Sequence, residues 1–237
     1  MITLPIKNTD RTYDLRPGKI VALGLNYREH VKESVSVLAG GHKPEAPQEP
    51  VIFPKATSSI IGNGENIIIP DFIKKYATSD KPLRTDHEAE LAFIISKDCR
   101  NVSEDQAMDY IFGFTCLNDV SQRNLQTGDR SGWFRGKSLD TFCPVGPTIV
   151  LTEDIGDPQN LDIKCRVNGK IVQSGNTSEM IFPIKKIVSI LSEWFTLNEG
   201  DLISTGTPSG ITPLHDGDIV EVEIDKIGIL KNTVVEE

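Results

Sequence analysis

The chain has 237 residues, 38% of them hydrophobic and 25% charged, a composition that excludes an extended disordered polymer and supplies enough apolar material for a real core. Its net charge of −9 argues against a binder of nucleic-acid backbones. It leaves small anionic substrates open, because a bound cation reverses the local sign. No apolar run reaches the length of a membrane span, and residues Met1 to Leu15 carry charge early and lack the apolar core of a signal peptide. Cys99, Cys116, Cys143 and Cys165 form no C-x-x-C pair and read as reduced, mostly buried thiols, so a cytoplasmic protein is expected.

In chain order, Lys19 to Leu25 is a short apolar run, expected as a buried strand. Gly24 relaxes the backbone before Asn26 to Ser34, a segment of helical character. On a helix His30 and Glu33 lie three apart and can touch, and a carboxylate beside an imidazole is the arrangement a general base needs. Such pairs are also common on plain surface helices. Ser36 to Pro50, with Gly40-Gly41 and three prolines, reads as a mobile connection long enough to be a lid. Val51 to Lys55 and Asn66 to Pro70 read as strands around the turn Gly62-Asn63-Gly64, and Asp71 to Arg84 as an exposed loop with a helical turn.

Asp86 to Gln126 is the most informative stretch. It opens as a strand on which Glu88 and Glu90 share one face. Two neighbouring carboxylates repel unless something positive sits between them. With Asp119, which follows a second apolar run, they make an all-oxygen set suited to a hard divalent cation, Mg²⁺ first and Mn²⁺ second. Between them, Ser103 and Gln106 have the spacing of a capping box for a helix to about Tyr110. A helix starting at Asp119 would put Asp119, Arg123 and Gln126 on one face.

Ser131 to Asp140 reads as a loop, with Lys137 between Gly136 and Ser138. Thr148 to Leu151 is a strand, and Asn168-Gly169 between two alternating runs is a hairpin signal. Ile181, Ile184, Ile187, Val188, Leu191 and Phe195 recur at helical spacing as a core stripe. The tail from Asp201 is β-rich, with Gly217 to Ile224 alternating cleanly.

Several of these motifs together resemble the fumarylacetoacetate hydrolase family: Gly24-Leu25-Asn26-Tyr27 with His30 and Glu33; Glu88-Ala89-Glu90-Leu91; Asn118 to Gln126; Lys137-Ser138-Leu139-Asp140; Val167-Asn168-Gly169 with Gln173; and Thr205 to Gly210. The resemblance spans roughly Lys19 to Leu230. It implies an α+β, β-rich fold, a mixed β-roll with a few peripheral helices, usually in homodimers. Residues 1–18 would be an N-terminal extension and 19–237 a single catalytic domain. The resemblance further implies that Glu88, Glu90 and Asp119 hold Mg²⁺, with Mn²⁺ or Ca²⁺ as alternatives, and that His30 and Glu33 form a catalytic dyad. Arg123, Gln126, Lys137 and Thr207 match positions that line the substrate pocket. Seven residues before His30 the long-chain mammalian hydrolase carries a further metal-binding Asp; here Leu23 stands there, as in the short-chain branch that acts on small 2-oxo acids.

The expected chemistry follows from these parts. A 2-oxo acid chelating the cation through carboxylate and ketone would have its enolate form stabilised. His30, oriented by Glu33, would activate water, and Lys137 would offset charge on a developing oxyanion. Acylpyruvate-type C–C hydrolysis with release of pyruvate is the first expectation. Oxaloacetate decarboxylation and 2-hydroxyhepta-2,4-diene-1,7-dioate isomerisation are alternatives on the same site. A non-catalytic β-domain with a structural Ca²⁺ is the alternative from another class.

Overall fold

The computed structural model describes residues 2–33, 45–127, 129–130 and 132–237. The expected connection Ser36 to Pro50 lies mostly outside the described residues. Sixteen strands, numbered in chain order, are described. The hairpin β1 (Ile2–Pro5) and β2 (Thr12–Leu15) comes first. A seven-stranded sheet curls into a half-barrel. Its spatial order is β4 (Val51–Lys55), β3 (Ile20–Gly24), β14 (Leu202–Ser204), β8 (Ala89–Ile95), β9 (Ile111–Asn118), β11 (Cys143–Leu151) and β5 (Ile60–Ile61). A five-stranded sheet orders β13 (Lys170–Asn176), β12 (Asp162–Val167), β15 (Ile219–Ile224), β16 (Gly228–Glu236) and β6 (Asn66–Ile69). The short pair β7 (Thr85–Asp86) and β10 (Ser121–Gln122) completes the set. Helices are few and short: α1 (Arg28–Glu33), α2 (Arg123–Gln126), α3 (Phe134–Lys137), α4 (Thr152–Ile155) and α5 (Ile184–Trp194). The chain is thus the β-rich α+β roll expected, with parallel and antiparallel pairs mixed: β14 runs parallel to β3 and antiparallel to β8.

β8 lies at the centre of the larger sheet and is buried along its whole length. A strand covered on both faces loses polar alternation, which is why its sequence is apolar apart from Glu90. Its register with β9 pairs Ala89 with Asn118 and Glu90 with Leu117. Glu88 and Asp119 therefore flank the end of that ladder, where the Asp119 N–H donates to the Glu88 carbonyl at 2.8 Å. Phe93 and Phe114 are fully buried neighbours on the same pair, ring centroids 6.2 Å apart, each contributing ~1.5–3 kcal/mol by burial. Helix α5 buries Ile184, Ile187, Val188 and Leu191, the stripe its spacing predicts. The β12–β13 hairpin turns at Asn168 (φ 53) and Gly169 (φ 78), both in the left-handed region that a two-residue I′ turn needs.

Three local expectations are corrected. No helix starts at Asp119: Ser121 and Gln122 pair with β7 instead, and α2 is a single turn whose Asn124 N–H donates to the Gln122 side chain. The segment after Ser103 is a 3₁₀ helix, Glu104–Tyr110, and Ser103 Oγ donates to the Gln106 side chain rather than closing a capping box on the backbone. Lys137 ends a helical turn rather than lying in a loop.

The first residues pack rather than project, with Leu4 and Leu15 buried in one cluster with Leu117 and Val145. All four cysteines are free and buried, and burial pushes the Cys143 thiol up to about 12, so it is no thiolate nucleophile near neutrality. Among the described residues no helix is long and apolar enough to cross a membrane.

Candidate active site

The seven-stranded sheet positions a buried carboxylate cluster. One oxygen from each of Glu88, Glu90 and Asp119 lies within 4.8 Å of the others, and all three residues are buried. Glu88 and Glu90 come from the entry of β8 and Asp119 from the exit of β9, so the register of one strand pair brings them together.

These acids belong to a row of alternating charge. Arg84 Nε meets Asp86 Oδ1 at 2.8 Å, and Arg123 Nε meets Asp86 Oδ2 at 2.7 Å. Arg123 Nη2 meets Glu88 Oε1 at 2.6 Å, and Lys137 Nζ bridges Glu88 Oε2 and Asp119 Oδ2, each at 2.6 Å. Lys55 Nζ closes the row on Asp119 Oδ1 at 2.6 Å and also donates to the Lys137 carbonyl. Burial alone would raise the Glu88 pKa, but Lys137 and Arg123 hold its carboxyl well below the usual range. Glu90 stands outside the row. Its Oε2 accepts from Ser204 Oγ and from the Gly206 N–H, and among the described residues no cation pairs with it. Burial, then the charges of Asp119 and Glu88, pushes its pKa well up.

Across a small cavity of about 20 Å³ stands the second group. His30 Nδ1 lies 3.1 Å from Glu33 Oε1, and the same oxygen accepts from the Gly210 N–H at 2.8 Å. Burial of Glu33 is outweighed by these two bonds together with the charge of His30 and the Ile211 amide, so its pKa lies below the ordinary 4.5. An Nδ1–H donated to a carboxylate leaves the lone pair on Nε2. The cavity is lined by His30, Glu88, Arg123, Gln126 and Lys137 on its polar side, and by Leu25, Phe53, Trp133 and Ile211 on its apolar side. The Phe53 and Trp133 rings meet edge to face at 5.5 Å. Leu25 (φ 59) and Trp133 (φ 71) are both bulky residues in the left-handed region, a costly conformation for such side chains. Gly24 admits the indole, since a Cβ there would stand 2.6 Å from it.

The structure thus brings eight of the nine expected residues to one place: the three acids, His30, Glu33 through its bond to His30, Lys137, Arg123 and Gln126. Arg123 is already engaged at all three nitrogens, on Asp86, Glu88 and Gln126. Thr207 is the ninth; like Glu33, Glu90 and Asp119 it does not line the cavity, and its hydroxyl donates at 2.8 Å to the carbonyl of Ala89, the residue between the two glutamates. Sequence reasoning assigned no role to Lys55, Asp86, Phe53, Trp133 or Ser204. The available signal was Lys55, a lysine closing an apolar run, and Asp86, which opens the acidic stretch.

The donor set fits a divalent cation: three convergent carboxylates, no sulfur or imidazole among them, and one of the three without an ion pair among the described residues.

The chain has matches among known families, sequences and solved structures. Residues 19–235 match the family described as Fumarylacetoacetate (FAA) hydrolase C-terminal. A mitochondrial oxaloacetate tautomerase from Xenopus laevis is 41% identical over 92% of this chain and 66% of its own length. The solved 2-hydroxyhepta-2,4-diene-1,7-dioate isomerase from Mycobacterium marinum superposes with a TM-score of 0.78 at 37% identity, covering 97% of this chain and 82% of that one. The maleylpyruvate hydrolase from a Sphingobium species, solved with manganese(II) and pyruvate, gives a TM-score of 0.74 at 33% identity over 93% and 71% of the two chains.

Proposed function

The chain is an enzyme of the fumarylacetoacetate hydrolase family, and from that premise we propose that it hydrolyses a C–C bond in small 2,4-dioxo acids of the acylpyruvate type, releasing pyruvate. The observation that carries the reading is the shared cavity: His30, held by Glu33, and Glu88 of the carboxylate cluster line one small space with an apolar wall.

Glu88, Glu90 and Asp119 would hold the metal, Mg²⁺ first, with Mn²⁺ or Ca²⁺ admitted by the same oxygens. Bound there, a divalent cation supplies Lewis-acid stabilisation of negative charge on the 2-oxo group. Glu33 accepts the His30 Nδ1–H, so Nε2 takes the proton of the attacking water. The water oxygen adds to the acyl carbon, the C–C bond breaks, and its electron pair goes to the pyruvyl carbon, which takes up a proton to give pyruvate. Lys137 Nζ uses two of its three donors on Glu88 and Asp119, leaving one for a substrate oxygen. Gln126 orients the acid end, with Arg123 holding it in place. Leu25, Phe53, Trp133 and Ile211 receive an uncharged acyl chain.

The similarity to an oxaloacetate tautomerase favours a second reading, in which the same base moves a proton without adding water. Purified protein with Mg²⁺, given acetylpyruvate or oxaloacetate, separates them by product. Pyruvate and acetate from acetylpyruvate are expected. Enol–keto interconversion of oxaloacetate with no cleavage of acetylpyruvate overturns the hydrolase. A homodimer and a cytoplasmic location are part of the same proposal; sedimentation of the native protein tests the first and fractionation of the source cell the second.

A further inference from the structure

Beside the carboxylate cluster sits a buried polar ring, bonded to both backbone groups of Ala89. The Gln173 side chain, 1% exposed on β13, makes four hydrogen bonds. Its Oε1 accepts from the Ala89 N–H at 3.0 Å and from His87 Nδ1 at 3.0 Å. Its Nε2 donates to Thr207 Oγ1 at 2.8 Å and to the Pro208 carbonyl at 2.7 Å. The backbone groups fix the amide's orientation, because an N–H can only donate and a carbonyl can only accept. His87 must therefore carry its proton on Nδ1, and its Nε2 accepts from Thr212 Oγ1 at 2.8 Å. Thr207 Oγ1 returns a bond to the Ala89 carbonyl at 2.8 Å and closes the ring.

The ring joins two segments with different duties. One is the entry of β8, which carries Glu88 and Glu90. The other is the loop 207–212, gripped at one end by Gln173 and at the other by His87. In the middle of that loop the Gly210 N–H holds Glu33 Oε1. The loop also lies hard against β13: a Cβ at Gly210 (φ +100) would stand 2.1 Å from the Val172 carbonyl oxygen, and one at Gly175 would stand 2.9 Å from Pro208 Cβ. Backbone and side chains thus lock the same loop.

We propose that Gln173 is a positioning residue, setting the distance between the His30–Glu33 pair and the carboxylate cluster by clamping the Gly210 amide to the β8 entry. Thr207, and His87 in its Nδ1–H form, are the clamp's other jaws. The role rests on the reading of His30 and Glu33 as the catalytic pair; the clamp itself is a statement about Gly210 and Glu33 and has its own readout.

The test uses Gln173→Leu, which removes all four bonds, and the gentler pair Thr207→Val and Thr207→Ser on the full-length protein. With acetylpyruvate and Mg²⁺, Gln173→Leu is expected to lower kcat about a hundredfold, the scale of a misplaced catalytic group, with KM little changed. Thr207→Val lowers it less, and Thr207→Ser, which keeps the hydroxyl, restores it. Hydrogen–deuterium exchange gives the second readout: peptides covering 205–212 and 28–33 exchange faster in Gln173→Leu, whereas the interior of β8 does not. Mn²⁺ affinity by titration calorimetry stays near the wild-type value. Unchanged kcat together with unchanged exchange at 205–212 overturns the clamp, as does a KM rise in Thr207→Val with kcat intact, which makes Thr207 a substrate contact. If the wild type cleaves no 2-oxo acid, the functional reading fails, while faster exchange in Gln173→Leu still supports the clamp and its absence still overturns it.

Discussion

The two sides of the cavity are built on opposite principles. The acidic side grows out of the deeply buried pair β8–β9, and its charges are balanced internally by Lys137, Lys55 and Arg123. The dyad side rides on α1, six residues long, and its carboxylate is fixed to the rest of the protein by the Gly210 amide. A group that must hold charge in a low-dielectric interior needs a rigid, compensated frame. A group that must move a proton needs orientation more than burial, and a short helix with a tether supplies it.

Variants can break this contrast. The largest expected effect is on the dyad side. Glu33→Ala should lower kcat by about 10²–10⁴-fold while lowering the melting temperature only modestly, because Glu33 is a third exposed. Steady-state rates beside a thermal melt decide it, and unchanged turnover removes the dyad from the mechanism. The acidic side should behave in reverse. Lys137→Met leaves Glu88 and Asp119 short of a buried cation and should cost about 3–5 kcal/mol in denaturant unfolding. Excess Mg²⁺ should return part of that loss. A loss under 1 kcal/mol, as for exposed pairs, would mean that the row is not held as drawn.

A smaller effect sharpens the comparison through pH. The folded-state pKa of Glu33 lies below the ordinary 4.5, so its contribution to stability is present above that value and fades as pH falls through the lowered one. The gap in melting temperature between wild type and Glu33→Gln should close on acidification below 4.5. A gap that persists unchanged at acid pH contradicts the pairing. The smallest effect concerns Tyr27, whose buried hydroxyl has no partner among the described residues. Tyr27→Phe should be neutral or stabilising by up to about 1 kcal/mol. Clear destabilisation would show that the hydroxyl has a partner such as a bound water.

Features set by local spacing were legible in the sequence. Two acids two apart on a strand, an imidazole and a carboxylate three apart on a helix, an Asn-Gly turn and the α5 stripe all depend on neighbours within a few residues. Features set by long-range register were not. Asp119 reaches Glu88 because β8 and β9 pair as they do, not because a helix aligns it with Arg123 and Gln126. Lys55 lies in a strand whose alternation says nothing of a carboxylate at the end of a strand four places away in the sheet. Trp133 becomes a wall of the cavity only through a left-handed backbone and a glycine at 24 that makes room for its ring. Family resemblance carried the placement of Lys137, which spacing alone could not supply.

The alternating row from Arg84 to Lys55 has a consequence for the solvent outside. Its outermost cation, Arg84, is 37% exposed, whereas the side chains of Asp86, Asp119 and Lys55 are fully buried. Mobile ions screen charges they can surround, over roughly 8 Å at physiological ionic strength. Added salt therefore weakens the Arg84–Asp86 contact and leaves the inner links at nearly full strength. The interior field around the three acids is insulated from ionic conditions, and the protein keeps the same electrostatic environment at its centre in dilute and in concentrated surroundings.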